Sequence, residues 1–178
     1  MKERIEIVAS GFGGQGVVRL GQIIGETAVK QGLHVTMLKS HGTEMRGGYV
    51  RSQVVLSSET IDSPMCESPD YFIALSSAAY QRFKDTVPDY GIIVYDPAFV
   101  EEIDERLPCR QKAFPAKGLS VEHFDSPLFA NTLVLGLMAR MVPILDRDVM
   151  LQSTLEVIPK FHDTNRQAFR IGYEYVGS

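Results

Sequence analysis

The spacing of apolar residues changes period several times along the chain, and each change marks a new element. Ile5 to Ala9 is an apolar run broken only by Glu6 and closed by Ser10 and Gly11, as in a short buried strand. Beyond Gly16 the apolar residues Val17, Leu20, Ile24 and Ala28 recur at helical spacing, which predicts a helix with one face on the core. Gly32 stands where a helix C-terminus belongs, and "HVTMLKS" returns to strand chemistry. Strand, glycine turn, helix and strand together predict a βαβ unit whose two strands are parallel.

"YVRSQVVLSS" carries β-branched residues but is polar at alternate positions, so it reads as an edge or antiparallel strand and makes the sheet mixed. "PDYFIAL" and "YGIIVYD" are short apolar runs flanked by turn residues, with a helix expected from Ser77 to Thr86 between them. The pattern fades from Glu101 to Pro115, where "EEIDE" reads as a solvated face and a strand is expected near Arg110 to Ala116. Helical spacing resumes from Leu128 to Met141. Asp146 is placed to cap a helix ending before Pro159, and a last helix runs from about Asp163 towards Tyr173. The expected fold class is α/β: a single domain over residues 1–178, Rossmann-like, a three-layer sandwich with a mostly parallel, mixed sheet. A chain of 178 residues suits one core of this kind.

Composition removes several function classes. The net charge is -4 and Lys and Arg are scattered singly, so no basic stripe is expected to track nucleic acid. Cys66 and Cys109 lack Cys-x-x-Cys spacing, which predicts no metal site or iron–sulfur cluster held by this chain alone and fits a reducing cytoplasm. "MKERIEIVAS" is too short an apolar run for a signal peptide, and "FANTLVLGLMARMVPIL" is interrupted by Asn131, Arg140 and Pro143. A cytoplasmic protein without a membrane partner is expected. His34, His41, His123 and His162 have no zinc spacing, and no Gly-x-Ser-x-Gly nucleophile elbow occurs. Asp146 and Asp148 read as helix-start residues. The expectation is that no catalytic residue belongs to this chain.

The chemistry concentrates in two glycine motifs. Gly11, Phe12, Gly13, Gly14, Gln15 and Gly16 form a G-x-G-x-x-G turn between a strand and a helix, the context in which backbone N–H groups and the helix dipole accept a phosphate. The acid that a dinucleotide's ribose would need about 20 residues on is absent. Lys39 and Ser40 stand there instead, which disfavours NAD and tolerates a further phosphate, so both join the candidate cofactor-binding set. Close helix–strand packing is the alternative reading of the turn, and Gly21 and Gly25 on the same helix support it. The second motif, Gly42, Thr43, Glu44, Met45, Arg46, Gly47 and Gly48, is a loop needing unusual backbone angles. It leaves from the same sheet edge as the first turn, so the two are expected to be neighbours. Substrate or subunit contact and a solvated Glu44–Arg46 pair both remain open for it.

"GFGGQGVVRLGQIIGETA" together with "GTEMRGGYVRSQVVLS" resembles the gamma subunit of 2-oxoacid:ferredoxin oxidoreductases. The likeness continues through "IDSPMCESPDYFIAL", "NTLVLGLMAR" and "NRQAFRIGYEY". The resemblance implies a share in converting a 2-oxoacid and coenzyme A to an acyl-CoA and CO2 with reduction of ferredoxin. It implies thiamine diphosphate, Mg and iron–sulfur clusters on partner subunits, none of them bound by this chain alone, and coenzyme A as a candidate ligand at its surface. The implied partners are alpha and beta subunits, with delta as a further candidate, and ferredoxin through the complex. "GTEMRGG" is closer to the 2-oxoglutarate and branched-chain 2-oxoacid members than to the pyruvate members, although Thr43 departs from a proline often seen there. A free-standing nucleotide-binding domain is the alternative.

Overall fold

The structure, a computed structural model, describes residues 3–41 and 49–177. Strand β1 (Arg4–Phe12) leads through the glycine turn into helix α1 (Val17–Lys30), followed by β2 (His34–His41) and β3 (Tyr49–Ser57). Then come β4 (Tyr71–Ala74), α2 (Ser77–Phe83), β5 (Ile92–Tyr95) and β6 (Arg110–Ala113). Helices α3 (Ala116–Phe124), α4 (Ala130–Met141), α5 (Arg147–Val157) and α6 (His162–Glu174) complete the chain.

The sheet order is β2-β3-β1-β4-β5-β6. β1, β4, β5 and β6 pair in parallel, while β3 runs antiparallel to both β1 and β2. Strands β1 and β2 therefore point the same way, as the βαβ pattern predicts, but β3 lies between them. β3 is antiparallel and internal; the edge position belongs to β2. Its polar residues Ser52 and Gln53 are buried because each has a partner: Ser52 Oγ donates to the Val17 carbonyl at 3.1 Å and Gln53 Oε1 accepts from the Cys66 N–H at 3.2 Å. Satisfied polar groups tolerate an interior strand.

Alternation along the strands sorts the core onto two faces. Ile5, Ile7, Ala9, Val54, Leu56, Ile73 and Val94 face α1, α4, α5 and α6, meeting Leu20, Leu133, Met150 and Phe169. Val8, Phe72, Ala74 and Ile93 face Tyr80 and Phe83 of α2, with Val100 and Cys109 from the β5–β6 connection. The result is the three-layer sandwich expected.

Helix ends follow local chemistry. α1 closes with the Leu33 N–H on the Ala28 carbonyl and the Gly32 N–H on the Val29 carbonyl, both at 3.0 Å, with Gly32 at φ 79; this is the Schellman arrangement. Asp146 caps α5, accepting from the N–H groups of Asp148 and Val149. Helix α3 has no apolar period and contains Gly118, so pattern alone does not reveal it. Its first turn is held from outside: Asp96, at the end of β5, accepts from the Lys117 N–H at 2.9 Å.

Candidate functional site

The carboxyl end of β1 is a tight, tied turn. Gly14 (φ 88) and Gly16 (φ 73) occupy the left-handed region, where a Cβ would be strained. Gln15 fills the turn from within: the Phe12 N–H donates to Gln15 Oε1 at 2.6 Å, and Gln15 Nε2 donates to the Leu75 carbonyl at 2.8 Å. Asn131 of α4 donates to the Gln15 carbonyl at 2.7 Å. A Cβ on Gly11 would stand 2.9 Å from Leu75 Cβ, whereas one on Gly13 or Gly14 would meet nothing within 4 Å. The packing reading of the glycines thus accounts for Gly11, and for Gly21, whose Cβ would lie 2.7 Å from Ser52 Oγ. It does not account for Gly13 and Gly14, which present bare backbone.

Gly14, Gln15 and Gly16 line a cavity of about 690 Å³ beyond the carboxyl ends of β1, β4 and β5. This is the crevice where open α/β sheets bind ligands. Here α1 follows β1 onto one face and α2 follows β4 onto the other, so the strand order changes direction. Two cations reach the cavity, Arg19 from the first turn of α1 and Lys117 from that of α3. α1 carries no side-chain cap and no acid in its first turn, leaving its positive end uncompensated. Leu75, Phe99, Leu128 and Val134 supply apolar wall, and Lys117 Nζ lies 5.1 Å from the Phe99 ring centroid. Asp96 also borders the cavity, but it is buried and both carboxylate oxygens are engaged by backbone, Oδ1 by the Ala98 N–H and Oδ2 by the Lys117 N–H. Its task is to hold the wall. The arrangement suits an anion with an apolar body.

Lys39 and Ser40 stand apart from this cavity. Lys39 is level with Ser52 of β3, which is level with Ala9 of β1, so Lys39 is two strands, about 10 Å, from β1. The cations beside the turn are Arg19 and Lys117, which sequence reasoning missed. Arg19 was legible as a base inside the first turn of a glycine-started helix; Lys117 was not, because α3 itself was hidden. The candidate interface residues Gly42, Thr43, Glu44, Met45, Arg46, Gly47 and Gly48 lie outside the described residues. Their flanks are informative: Tyr49 pairs with Phe12 and Val50 with His41, so both ends of that segment emerge at the sheet end that carries the glycine turn.

The cysteines offer no nucleophile. Burial pushes the Cys66 thiol up to about 12, with the Glu6 charge adding to it, and burial likewise raises Cys109; a thiol kept protonated is inert. Among the described residues no group of three or more His, Cys, Asp and Glu side chains could hold a metal ion, and no helix is long and apolar enough to cross a membrane.

Residues 6–175 match the family model described as pyruvate ferredoxin/flavodoxin oxidoreductase. The chain belongs to this family. It is similar to the KorC subunit of 2-oxoglutarate synthase from Methanocaldococcus jannaschii, at 34% identity over 98% of this chain and 95% of that one. A VorA subunit of ketoisovalerate oxidoreductase from Methanothermobacter thermautotrophicus is 34% identical over 75% of this chain but only 28% of its own length. Among solved structures, the gamma subunit of a keto/oxoacid ferredoxin oxidoreductase from Geobacter sulfurreducens superposes with a TM-score of 0.84 at 26% identity, covering 96% of each chain. The 2-oxoglutarate:ferredoxin oxidoreductase of Magnetococcus marinus, solved with 2-oxoglutarate, coenzyme A and succinyl-CoA bound, gives 0.86 at 26% identity over 97% of this chain and 31% of that chain. Within the family the same fold is therefore both a separate subunit and a segment of longer polypeptides.

Proposed function

We propose that this chain is the gamma-type subunit of an oxidoreductase that converts 2-oxoglutarate and coenzyme A to succinyl-CoA and CO2 while reducing ferredoxin. The observation that carries the reading is the match to a KorC subunit over nearly the whole length of both chains. Thiamine diphosphate, Mg and the iron–sulfur clusters belong to alpha and beta partners, with delta where the assembly has one. This chain contributes binding: the glycine turn, Arg19 and Lys117 hold the phosphorylated end of coenzyme A in the cavity, with Phe99 and Leu75 against its apolar parts. Backbone N–H groups and two cations suit a phosphate cluster, and the missing acid at the end of β2 fits a ligand other than NAD. Residues 42–48, leaving from the same edge, meet substrate or a neighbouring subunit.

The test is viologen and ferredoxin reduction by the co-expressed complex, with and without this chain, on 2-oxoglutarate, pyruvate and 2-oxoisovalerate. Activity should require the chain and be highest with 2-oxoglutarate. The double variant Arg19→Gln/Lys117→Gln should raise the KM for coenzyme A about 10-fold or more, as loss of charge-assisted contacts implies, and leave the KM for 2-oxoglutarate unchanged. An unaltered coenzyme A KM would remove the cavity from the cofactor's path.

A further inference from the structure

Far from the glycine turn, the groove between α5 and α6 collects arginines. Arg147 opens α5, Arg166 and Arg170 lie one turn apart on α6, and all three line the groove together with Asp163. Arg140, at the end of α4, donates from Nη1 to the Tyr173 carbonyl at 3.1 Å, and the Arg147 guanidinium lies 4.7 Å from the centroid of the Tyr173 ring. All four are exposed. Among the described residues none of them comes within 4.0 Å of a carboxylate.

This cluster works against the chain's own stability. Like charges at i and i+4 on α6 repel, and Arg147 sits at the positive end of α5. Asp163 lies in the groove and Asp148 and Glu156 share the adjoining hollow with Arg166, yet none of these carboxylates closes an ion pair with the arginines. Guanidiniums left without an ion pair are free to meet a negative patch on a partner.

We infer that the α5–α6 groove docks a carboxylate-bearing segment of a sister subunit in the assembled oxidoreductase; the inference rests on the subunit role proposed above. An arginine stacked on an aromatic ring keeps the edge of its guanidinium free for bidentate contact with a carboxylate. Arg147 is already oriented by the Tyr173 ring, so less freedom is lost on docking. Protein is favoured over nucleic acid because three cations and an aspartate in one groove make no continuous phosphate track, and the net charge is negative. A sister subunit is favoured over a transient carrier because in longer relatives the matched region is one part of a larger polypeptide, so its contact with the remainder of that polypeptide is permanent.

The experiment uses the co-expressed complex, in which dissociation of this chain is followed by native mass spectrometry and gel filtration from 50 to 300 mM salt. Arg166→Glu/Arg170→Glu should weaken retention of the chain at least 10-fold at low salt and flatten the salt dependence. Arg166→Lys/Arg170→Lys should fall between, since lysine keeps the charge and loses the bidentate geometry, and Arg82→Glu on α2 should behave as wild type. Retention and salt slope equal to wild type in the double glutamate variant would overturn the docking role. So would intact assembly with a raised ferredoxin KM and unchanged viologen rates, or release of the chain by a short DNA duplex. A wild-type chain that retains no larger subunit would instead sink the subunit reading, and the groove's occupant with it.

Discussion

Glycines at two places in this protein do opposite things. At the crossing of α4 and α6, Gly136 and Gly172 let two backbones touch: a Cβ on Gly136 would run into the Phe169 carbonyl and stand 2.8 Å from the Tyr173 nitrogen, and one on Gly172 would collide with the Leu133 carbonyl. Nearby, Thr132 Oγ1 donates to Asn165 Oδ1 at 2.7 Å in the buried interface. At the β1–α1 turn, Gly13 and Gly14 leave open space where side chains would be. The first region is closed by shape and cannot accept an atom. The second is held by hydrogen bonds from Gln15 and Asn131 and keeps its backbone available.

The largest effect should come from Gly172→Ala, which inserts a methyl group between two backbones. We expect a loss of about 3 kcal/mol, the upper range for overpacking, in chemical denaturation of the complex-free or assembled protein, whichever unfolds reversibly. A loss below about 1 kcal/mol would mean that the helices slide apart cheaply and that the crossing is not set by its glycines.

Asp96→Ala tests the hydrogen-bonded edge. It removes a buried carboxylate that holds two backbone N–H groups and stops α3 from being anchored to β5, so a loss of about 2 kcal/mol is expected. Amide exchange should rise at Ala98 and Lys117 before it rises in α4. Uniform exchange across the protein would show instead that α3 stands without Asp96.

The smallest effect on stability should come from Gly13→Val. Gly13 has a negative φ range and a clear surrounding, so the change in stability should stay within about 0.5 kcal/mol. Coenzyme A affinity or subunit assembly should nevertheless fall, because a branched side chain covers the bare backbone. An assembled enzyme with wild-type coenzyme A kinetics would make Gly13 as silent in function as in packing.

Much of the fold was legible in the chain because its elements carry their own signals. The period change at Gly16, the Gly32 terminus, the Asp146 cap and the apolar runs of β4 and β5 are local, and each appears where local chemistry places it. Helix α3 was not legible: Gly118 and the absence of an apolar stripe hide it, and its anchor is an aspartate 21 residues earlier. The internal position of β3 was hidden for a related reason, since Ser52 and Gln53 look like surface residues until their partners at Val17 and Cys66 are known.

The candidate site divides along the same line. Sequence alone determined that a strand ends in a bare glycine turn leading into a helix, that no acid follows at the next strand, and that the strands flanking residues 42–48 end on the same side of the sheet as that turn. Those features depend on residue type and short spacing, which the chain carries in itself. Only the tertiary structure decided that β3 separates Lys39 from the turn, that Arg19 and Lys117 take the place beside it, and that four arginines from three helices converge around α6. Such groupings depend on strand order and helix packing, which bring residues far apart in sequence within reach of one ligand or one partner.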